Sequence, residues 1–279
     1  MTINCNGKLI DLNTPRIMGI LNLTPDSFFD GGRYQIEEEI LKQVEIMLSE
    51  GATFIDLGGY SSRPGAKNVS AEDERLRVLP ALELILKNFE NILVSIDTFR
   101  SDIAQECIET GACMVNDISA GSMDEKMFET VARLQVPYII MHMKGTPQDM
   151  QTHTTYQNLV KDIIYYFSEK VFELRALGLN DIIIDPGYGF SKTLDQNYEI
   201  LGCSELLKNL ELPILTGISR KSMLYKVLEC GPEDALNATT AVHSIALMKG
   251  TNILRVHDVK EASETIRIME QIKPWSSNV

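Results

Sequence analysis

Residues 40–57 read ILKQVEIMLSEGATFIDL and contain one repeating unit of the fold. Apolar side chains in the first part recur at i, i+1, i+4, i+7 and i+8, one face of an amphipathic helix: Ile40, Leu41, Val44, Met47 and Leu48. Gly51 then supplies the glycine typical of a helix C-terminus. The run Thr53–Leu57 is short and apolar, as expected for a parallel strand that is covered on both faces. The stretch therefore predicts a helix followed by a buried strand.

The same alternation continues along the whole chain. The predicted strands are Arg16–Leu23, Thr53–Leu57, Ile92–Ile96, Cys113–Val115, Pro137–Met141, Asp181–Ile184, Pro213–Thr216 and Asn252–Val256. Helical patterns separate them, and the one from Leu159 to Leu174 is long enough for about five turns. Capping residues predict helix starts after Ser70, Ser122 and Gly231, and glycines predict helix ends at Gly51, Gly111, Gly178 and Gly250.

Eight strand–helix units in about 250 residues fit a (β/α)8 TIM barrel. Residues Thr2–Leu12 predict an additional short β-hairpin that turns at Asn6-Gly7. An open doubly wound sheet is the alternative, but no linker, repeat or low-complexity segment divides the chain. We expect a single domain over residues 1–279, with two helices in the long interval Gly217–Lys249.

Composition excludes several classes of function. The formal net charge of −13 argues against nucleic acid or an anionic membrane as the main partner. The longest apolar runs are too short to span a bilayer, and we expect no secretory signal. The five cysteines form no CxxC pair, which favours free thiols in a reducing compartment and hence a cytoplasmic protein. No HxxxH or CxxC spacing suggests structural zinc, and no Walker A or GxGxxG motif is present.

Polar side chains follow the predicted strands, where a barrel places its chemistry. One group combines hydrogen-bond acceptors that fit a planar heterocycle with adjacent N–H donors: Asp97, Asn116 and Asp185. A second group is cationic and suits phosphate oxygens: Arg63, Lys221, Arg255 and His257. Together they predict a pocket that binds a polar ring at depth and an anion toward its mouth.

Some polar residues have a simpler interpretation. A single Asp or Asn after a strand is more often a turn or cap residue than a functional one. We interpret Asp56 as structural because it lies inside an apolar run, and His142 as a core histidine outside the site. Arg220 and Lys221 lie at a predicted helix start, where cations oppose the helix dipole and an anion should compensate.

Seven segments, in order from residue 19 to 259, resemble the dihydropteroate synthase family, the folate-pathway enzymes inhibited by sulfonamides. They are GILNLTPDSFFDGG (19–32), IDLGGYSSRPGA (55–66), SIDTFR (95–100), VNDISAG (115–121), IIIDPGYGFSK (182–192), GISRKSML (217–224) and ILRVHDV (253–259). The resemblance implies a (β/α)8 barrel that joins 7,8-dihydropterin-6-ylmethyl diphosphate to p-aminobenzoate, with Mg2+ required and a homodimer expected.

The resemblance also implies the roles of individual residues. Asp97, Asn116, Asp185 and Lys221 would hold the pterin, and Asn22 would bind Mg2+. Arg63, Arg255 and His257 would meet the diphosphate. Ser222 would receive the p-aminobenzoate carboxylate at a helix N-terminus, with Phe28, Ser62, Pro64 and Phe190 around the substrates. Loss of diphosphate first would leave a cation delocalised into the pterin, which Asp97 would stabilise.

One segment departs from the family pattern. The family commonly reads Glu-Ser-Thr-Arg where this chain has Tyr60-Ser61-Ser62-Arg63, so a negative charge is absent at residue 60. Three alternative functions share parts of the pattern: a pterin-dependent methyltransferase, a Schiff-base aldolase that uses Lys221, and a non-catalytic pterin-binding protein. The segment Arg255-Val-His257, Ser222 and the Asn22 loop together favour the synthase over the methyltransferase.

Overall fold

The structure, a computed structural model, describes residues 1–23, 33–60 and 69–276. In these ranges the strands are β1 (Thr2–Cys5), β2 (Lys8–Asp11), β3 (Arg16–Asn22), β4 (Phe54–Gly58), β5 (Val94–Asp97), β6 (Met114–Asp117), β7 (Tyr138–Met141), β8 (Ile182–Asp185), β9 (Leu215–Thr216) and β10 (Ile253–Val256). The helices are α1 (Arg33–Ser49), α2 (Ala71–Asn88), α3 (Ser101–Thr110), α4 (Met127–Leu134), α5 (Leu159–Ala176), α6 (Leu194–Cys203), α7 (Ser222–Tyr225), α8 (Leu236–Met248) and α9 (Val259–Ser276). Short 3-10 helices span Met150–Thr152, Ser204–Leu210 and Pro232–Asp234.

Strands β3 to β10 form an eight-stranded parallel sheet in the order β8-β7-β6-β5-β4-β3-β10-β9. A parallel bridge between Ile184 and Ile214 joins its two ends, where the Ile184 amide donates to the Pro213 carbonyl at 2.9 Å. The TIM barrel is therefore confirmed, and the open-sheet alternative is wrong. All eight predicted strands lie in the sheet, shifted by no more than a few residues at their ends.

The predicted turns and caps are confirmed where glycine or a hydroxyl is needed. Asn6 and Gly7 have φ values of 51° and 81°, the left-handed pair required by a two-residue hairpin turn between β1 and β2. Gly111, which ends α3, has a φ of 131° that disfavours any residue with a Cβ. The Ser70 side chain caps α2 by accepting a 3.0 Å hydrogen bond from the Asp73 amide.

Two predicted helix starts need correction. Helix α4 begins at Met127 and not after Ser122, because the Asp117 carboxylate accepts from the Ser119 and Gly121 amides and holds this segment in turns. After Gly231 the chain forms only a 3-10 turn, and α8 begins at Leu236. The prediction of two helices between residues 217 and 249 is confirmed by α7 and α8.

The barrel interior is divided into two halves. The half at the amino ends of the strands is apolar and is closed by the β1–β2 hairpin. Ile3, Cys5 and Ile10 of this segment pack with Phe54 and Met114 in one buried cluster. The polar side chains of the strands lie at the opposite, carboxyl end. Among the described residues, no helix is long and apolar enough to cross a membrane. The apolar half fixes the strands, and the polar half is left as the floor of a site.

Candidate active site

Strand register brings the predicted residues of the first strands to one level. Asn22 is paired with Gly58, Gly58 with Asp97, and Asp97 with Asn116. These four residues therefore form a row across β3, β4, β5 and β6 at the carboxyl end of the barrel. Asp56 lies two residues before Gly58 and so shares its face of the sheet.

An ion-pair cluster lies directly below this row. The Arg255 guanidinium donates from Nε to Asp56 Oδ2 and from Nη2 to Asp97 Oδ2, both at 2.6 Å. Asn116 Nδ2 donates to the same Asp56 oxygen at 2.9 Å. Asp56 is fully buried, so it holds two predicted site residues from beneath. The interpretation of Asp56 as structural agrees with this position, whereas its contacts with Arg255 and Asn116 were not predicted.

The second half of the floor comes from β8 and the loops that follow β8 and β9. Asp185 is buried, and its Oδ1 accepts from the Gly187 amide at 2.8 Å. Lys221 Nζ donates to the Tyr188 carbonyl at 2.5 Å and lies 4.6 Å from the centre of the Phe190 ring. This arrangement brings Asp185, Lys221 and Phe190 together, as predicted from their motifs.

Gly217 connects the two halves. A Cβ added to it would lie 3.7 Å from Asp185 Oδ2, 3.9 Å from Lys221 Nζ and 4.0 Å from the Arg255 Cβ. Three predicted site residues therefore converge on a position that has no side chain. The absence of a Cβ leaves room for a flat ligand over the polar floor.

Burial changes the ionisation of these groups. It raises the pKa of Asp97 to about 7, although the Arg255 charge opposes the change. Burial likewise raises the pKa of Asp185, opposed mainly by Lys221. Burial lowers the pKa of Lys221 to about 8, and the neighbouring Asp185 works in the opposite direction. The site therefore holds an acid and a base that both titrate near neutral pH, as functional groups often do.

At the mouth, the neighbours of Lys221 have separate roles. Arg220 forms a two-pronged ion pair with Asp258, with both N–O distances at 2.8 Å. Asp258 is thus the compensating anion expected at this helix start, and Arg220 is structural. Ser222 begins α7, which has four residues and hence a weak dipole. His257 is exposed, with its Nδ1 3.2 Å from Ser219 Oγ.

Tyr60 shows how the chain accommodates the missing charge at residue 60. Its ring meets Phe99 edge-on at 5.1 Å, and its hydroxyl accepts from Gln148 Nε2 at 2.7 Å. Arg100, which lies over the Tyr60 ring, forms an ion pair with the buried Glu74. Glu74 therefore compensates the local cation. Four predicted substrate residues lie outside the described ranges: Phe28, Ser62, Arg63 and Pro64.

The interpretation of His142 as a core histidine agrees with the structure. It is buried at the end of β7, and its Nδ1 lies 3.0 Å from the Nζ of Lys192. Burial lowers the pKa of His142 to about 2, so the ring is neutral and accepts this hydrogen bond. Lys192 was not singled out from the sequence, since a lysine in a glycine-rich loop is ordinarily a solvated residue.

Asn22 offers the chemistry of a magnesium ligand without a complete metal cage. No three His, Cys, Asp or Glu side chains in the described ranges are grouped to hold an ion. Asn22 is half-buried at the end of β3 and carries an amide oxygen, a ligand type that Mg2+ accepts. Magnesium commonly takes one or two protein oxygens together with water and substrate phosphates. The residues present therefore fit an ion held mainly by a bound diphosphate.

Comparison with known proteins agrees with this site. A family model for pterin binding enzymes matches residues 18–257. The dihydropteroate synthase of Escherichia coli is 39% identical over 272 residues, which cover 97% of this chain and 96% of the relative. The Yersinia pestis dihydropteroate synthase, solved with a sulfonamide drug, has a TM-score of 0.92 at 39% identity and covers 98% of this chain and 100% of that one. The Thermus thermophilus enzyme, solved with 4-aminobenzoate, has a TM-score of 0.88 at 32% identity, with the same coverage. The chain therefore belongs to the dihydropteroate synthases, pterin-binding transferases of folate synthesis.

Proposed function

We propose that this chain joins 7,8-dihydropterin-6-ylmethyl diphosphate to p-aminobenzoate by an SN1-like displacement, releasing diphosphate and 7,8-dihydropteroate. The observation that carries the proposal is the polar floor at one end of an otherwise apolar barrel, where Asp185, Lys221 and Arg255 converge at Gly217 and Arg255 is paired with Asp97. Such a floor binds a ring that has several hydrogen-bonding groups, and its charges suit a reaction in which charge separates.

Asp185 and Asn116 hold the pterin ring. The Asp185 carboxylate accepts one hydrogen bond from Gly187 and keeps lone pairs for adjacent N–H groups of the pterin. Asn116 gives one amide hydrogen to Asp56 and keeps its second hydrogen and its oxygen for the ligand. Lys221 lies over the Phe190 ring and adds a donor at the edge of the same floor.

Asp97 stabilises the transition state. Departure of diphosphate leaves positive charge on the methylene carbon and the pterin ring. Asp97 lies on a barrel strand beside this position, and its charge is held in place by Arg255 before any reaction occurs. A fixed carboxylate stabilises developing positive charge more than it stabilises the neutral ring, and this difference accelerates the reaction.

The leaving group meets the cationic side of the site. Arg255 uses Nε and Nη2 for the two aspartates, and no described residue accepts from its Nη1, which remains for a phosphate oxygen. His257 is exposed at the mouth, where it can donate to the departing diphosphate. Bound at Asn22, Mg2+ would supply positive charge to the diphosphate oxygens.

The nucleophile needs little activation. An arylamine is already nucleophilic, so the site requires no strong general base. Ser222 lies next to Lys221 at the start of α7 and would receive the p-aminobenzoate carboxylate. Phe190 is largely buried in a cluster with Met141, Met143 and Tyr60, and this cluster forms an apolar wall for the rings.

Release of diphosphate that depends on p-aminobenzoate is the direct test. The chain should release one diphosphate for each dihydropteroate formed, and omission of p-aminobenzoate should stop steady release. A non-catalytic pterin-binding protein would give no release, and a methyltransferase would not respond to p-aminobenzoate. Borohydride with a carbonyl substrate should trap no adduct on Lys221, whereas a Schiff-base aldolase would be labelled there.

Replacing Asp185 by asparagine should weaken pterin binding by about 1.5–3 kcal/mol, the contribution of hydrogen bonds to a charged group. The carboxylate is buried and presents acceptors only, whereas an asparagine presents a donor at one of the two positions. Calorimetry with the pterin diphosphate measures the change. Asp181→Asn is the matched control at the opposite end of β8, where the carboxylate meets the Asn4 amide. Equal pterin affinity for Asp185→Asn and the wild type would contradict the assignment.

The pH dependence of kcat/KM for the pterin diphosphate should be bell-shaped. Asp97 must be ionised, so activity should fall as pH drops through its pKa of about 7. Lys221 must be protonated to donate, so activity should fall as pH rises through its pKa of about 8. This profile reports the free enzyme and is measured at subsaturating pterin diphosphate. If Asp97→Asn loses the acid limb, that limb reports ionisation of Asp97. An unchanged acid limb would show that another group titrates there.

We also propose that the chain is a homodimer in the cytoplasm. Phe172 on α5 and Met248 on α8 are largely exposed. Leu206 is also exposed, on the 3-10 helix Ser204–Leu210, which the Glu205–Lys249 ion pair joins to the end of α8. Large exposed apolar side chains on these elements favour contact with a second copy. All five cysteines are free thiols, which supports a reducing compartment. Sedimentation equilibrium should give twice the mass of the chain.

A further inference from the structure

Lys192 is a buried lysine that forms no ion pair with the described residues. Its Nζ donates to the carbonyls of Gly187 and Phe190, each at 2.9 Å. It also lies 3.2 Å from the His142 carbonyl and 3.0 Å from His142 Nδ1. The Nζ thus lies within hydrogen-bond distance of four acceptors, while burial lowers the pKa of Lys192 well below its usual value. Buried lysines are rare unless they are paired, so this arrangement calls for a reason.

The reason lies in the backbone of the loop after β8. Gly187, Gly189 and Ser191 have φ values of 71°, 84° and 50°, so the chain reverses direction repeatedly within five residues. These reversals turn the Gly187 and Phe190 carbonyls inward, where neither helix nor sheet can supply a donor. Lys192 supplies both and connects the loop to the end of β7 through His142. Without the Lys192 Nζ, the Phe190 and His142 carbonyls would lose this donor, whereas the Gly187 carbonyl would keep only its 3.1 Å hydrogen bond from the Phe190 amide.

The same loop makes three contacts inside the active site. The Gly187 amide donates to Asp185, the Tyr188 carbonyl accepts from Lys221, and the Phe190 ring lies under the Lys221 ammonium. Lys192 holds the carbonyls of Gly187 and Phe190, which flank Tyr188 and Gly189 in the chain. The position of the Lys221 ammonium therefore depends on a backbone that Lys192 holds.

We propose that Lys192 is a positioning residue for pterin binding, which fixes the loop 186–191 so that the Tyr188 carbonyl and the Phe190 ring place Lys221 over the floor. This inference rests on the proposed function. Lys192 itself does not face the ligand, since its donors are used inside the loop. Its effect should therefore pass through Lys221 and appear mainly in pterin binding.

Lys192→Met keeps the apolar stem and removes the donors. We expect the Kd of 7,8-dihydropterin-6-ylmethyl diphosphate, measured by calorimetry without p-aminobenzoate, to rise about 10- to 100-fold, by analogy with residues that orient the ligands of a metal ion. The KM of p-aminobenzoate should change much less. Lys144→Met is the matched control: in the described ranges the Lys144 Nζ donates to the Thr155 carbonyl and lies over the Tyr156 ring, not on the Gly187 and Phe190 carbonyls, so this variant should bind pterin diphosphate normally.

A double-mutant cycle separates positioning from general support. In a Lys221→Met background, Lys192→Met should change the pterin Kd by about twofold or less, because the group that it positions is gone. An equal loss in both backgrounds would overturn the proposal, as would a Lys192→Met chain that binds like Lys144→Met. If Lys192→Met does not fold, Lys192→Gln decides, since its shorter amide can donate to only part of the loop. Diphosphate release by the wild type in the same preparation shows separately whether the proposed function holds.

Discussion

Asp97→Asn should lower kcat about 10²- to 10³-fold, the range found when one group that stabilises developing charge is removed. Pterin affinity should change much less. The neutral pterin ring gains little from a carboxylate that already faces Arg255. The cation formed as diphosphate departs gains much more, because the Asp97 side chain is only 14% exposed and is fixed where the field of a charge is weakly screened.

Measurement above pH 7 gives the cleanest comparison. Burial raises the pKa of Asp97 to about 7, so part of the wild-type enzyme lacks the charge at lower pH. Asparagine preserves the shape and can still accept from Arg255 Nη2, so the variant should fold. Calorimetry gives the pterin affinity, and single-turnover kinetics give the chemical step. Equal losses of affinity and turnover would show that Asp97 binds the ground state as strongly as the transition state.

Most of the fold followed from periodicity. Apolar runs such as Ile92–Ile96 and Asp181–Ile184 predicted strands because parallel strands in a barrel are buried on both faces. The glycines that end helices were equally readable, since a positive φ disfavours other residues. The helix start predicted after Ser122 was wrong because the Asp117 carboxylate accepts hydrogen bonds from the backbone of this segment, and these bonds compete with those of a helix.

Only some residues of the site could be predicted from the sequence. Asp97, Asn116 and Asp185 follow strands, where chain order alone places them at the mouth of a barrel. The pairing of Asp56 with Arg255 joins residues 199 positions apart, and no local pattern reports such a contact. The role of Lys192 was not predicted for a related reason, since the backbone carbonyls that it contacts carry no sequence signature. Side-chain chemistry was thus predictable, whereas the groups that support it required the structure.

Asp56→Ala should destabilise the fold by about 3–5 kcal/mol, since one buried carboxylate oxygen accepts two hydrogen bonds and each such bond contributes about 1.5–3 kcal/mol. The Arg255 Nε and the Asn116 Nδ2 would both lose this acceptor at a buried position. Asp97 still neutralises Arg255 in the variant, so the cost of an unpaired buried charge is not added to the loss of the two hydrogen bonds. Urea unfolding followed by circular dichroism measures the change.

Ser95→Ala is the matched control for this loss. Ser95 lies opposite Asp56 in the register of β4 and β5, and its buried hydroxyl has no hydrogen-bond partner among the described residues. Its removal should therefore leave stability nearly unchanged or slightly increased. Asp56→Asn should lie between the two, because its amide oxygen can still accept while its nitrogen replaces an oxygen that has no donor nearby.

Asp56→Ala should also change the pH dependence of catalysis, and the direction of this change follows from the negative charge that is removed. Asp56 raises the pKa of Asp97 because two carboxylates repel, although burial is the larger cause. Its removal should lower that pKa and extend the acid limb of the activity profile below pH 7. Ser95→Ala removes no charge and should leave the limb in place. An acid limb that stays near 7 in Asp56→Ala, or that moves upward, would show that Asp56 does not set the ionisation of Asp97. In that case its role would be confined to holding Arg255 and Asn116.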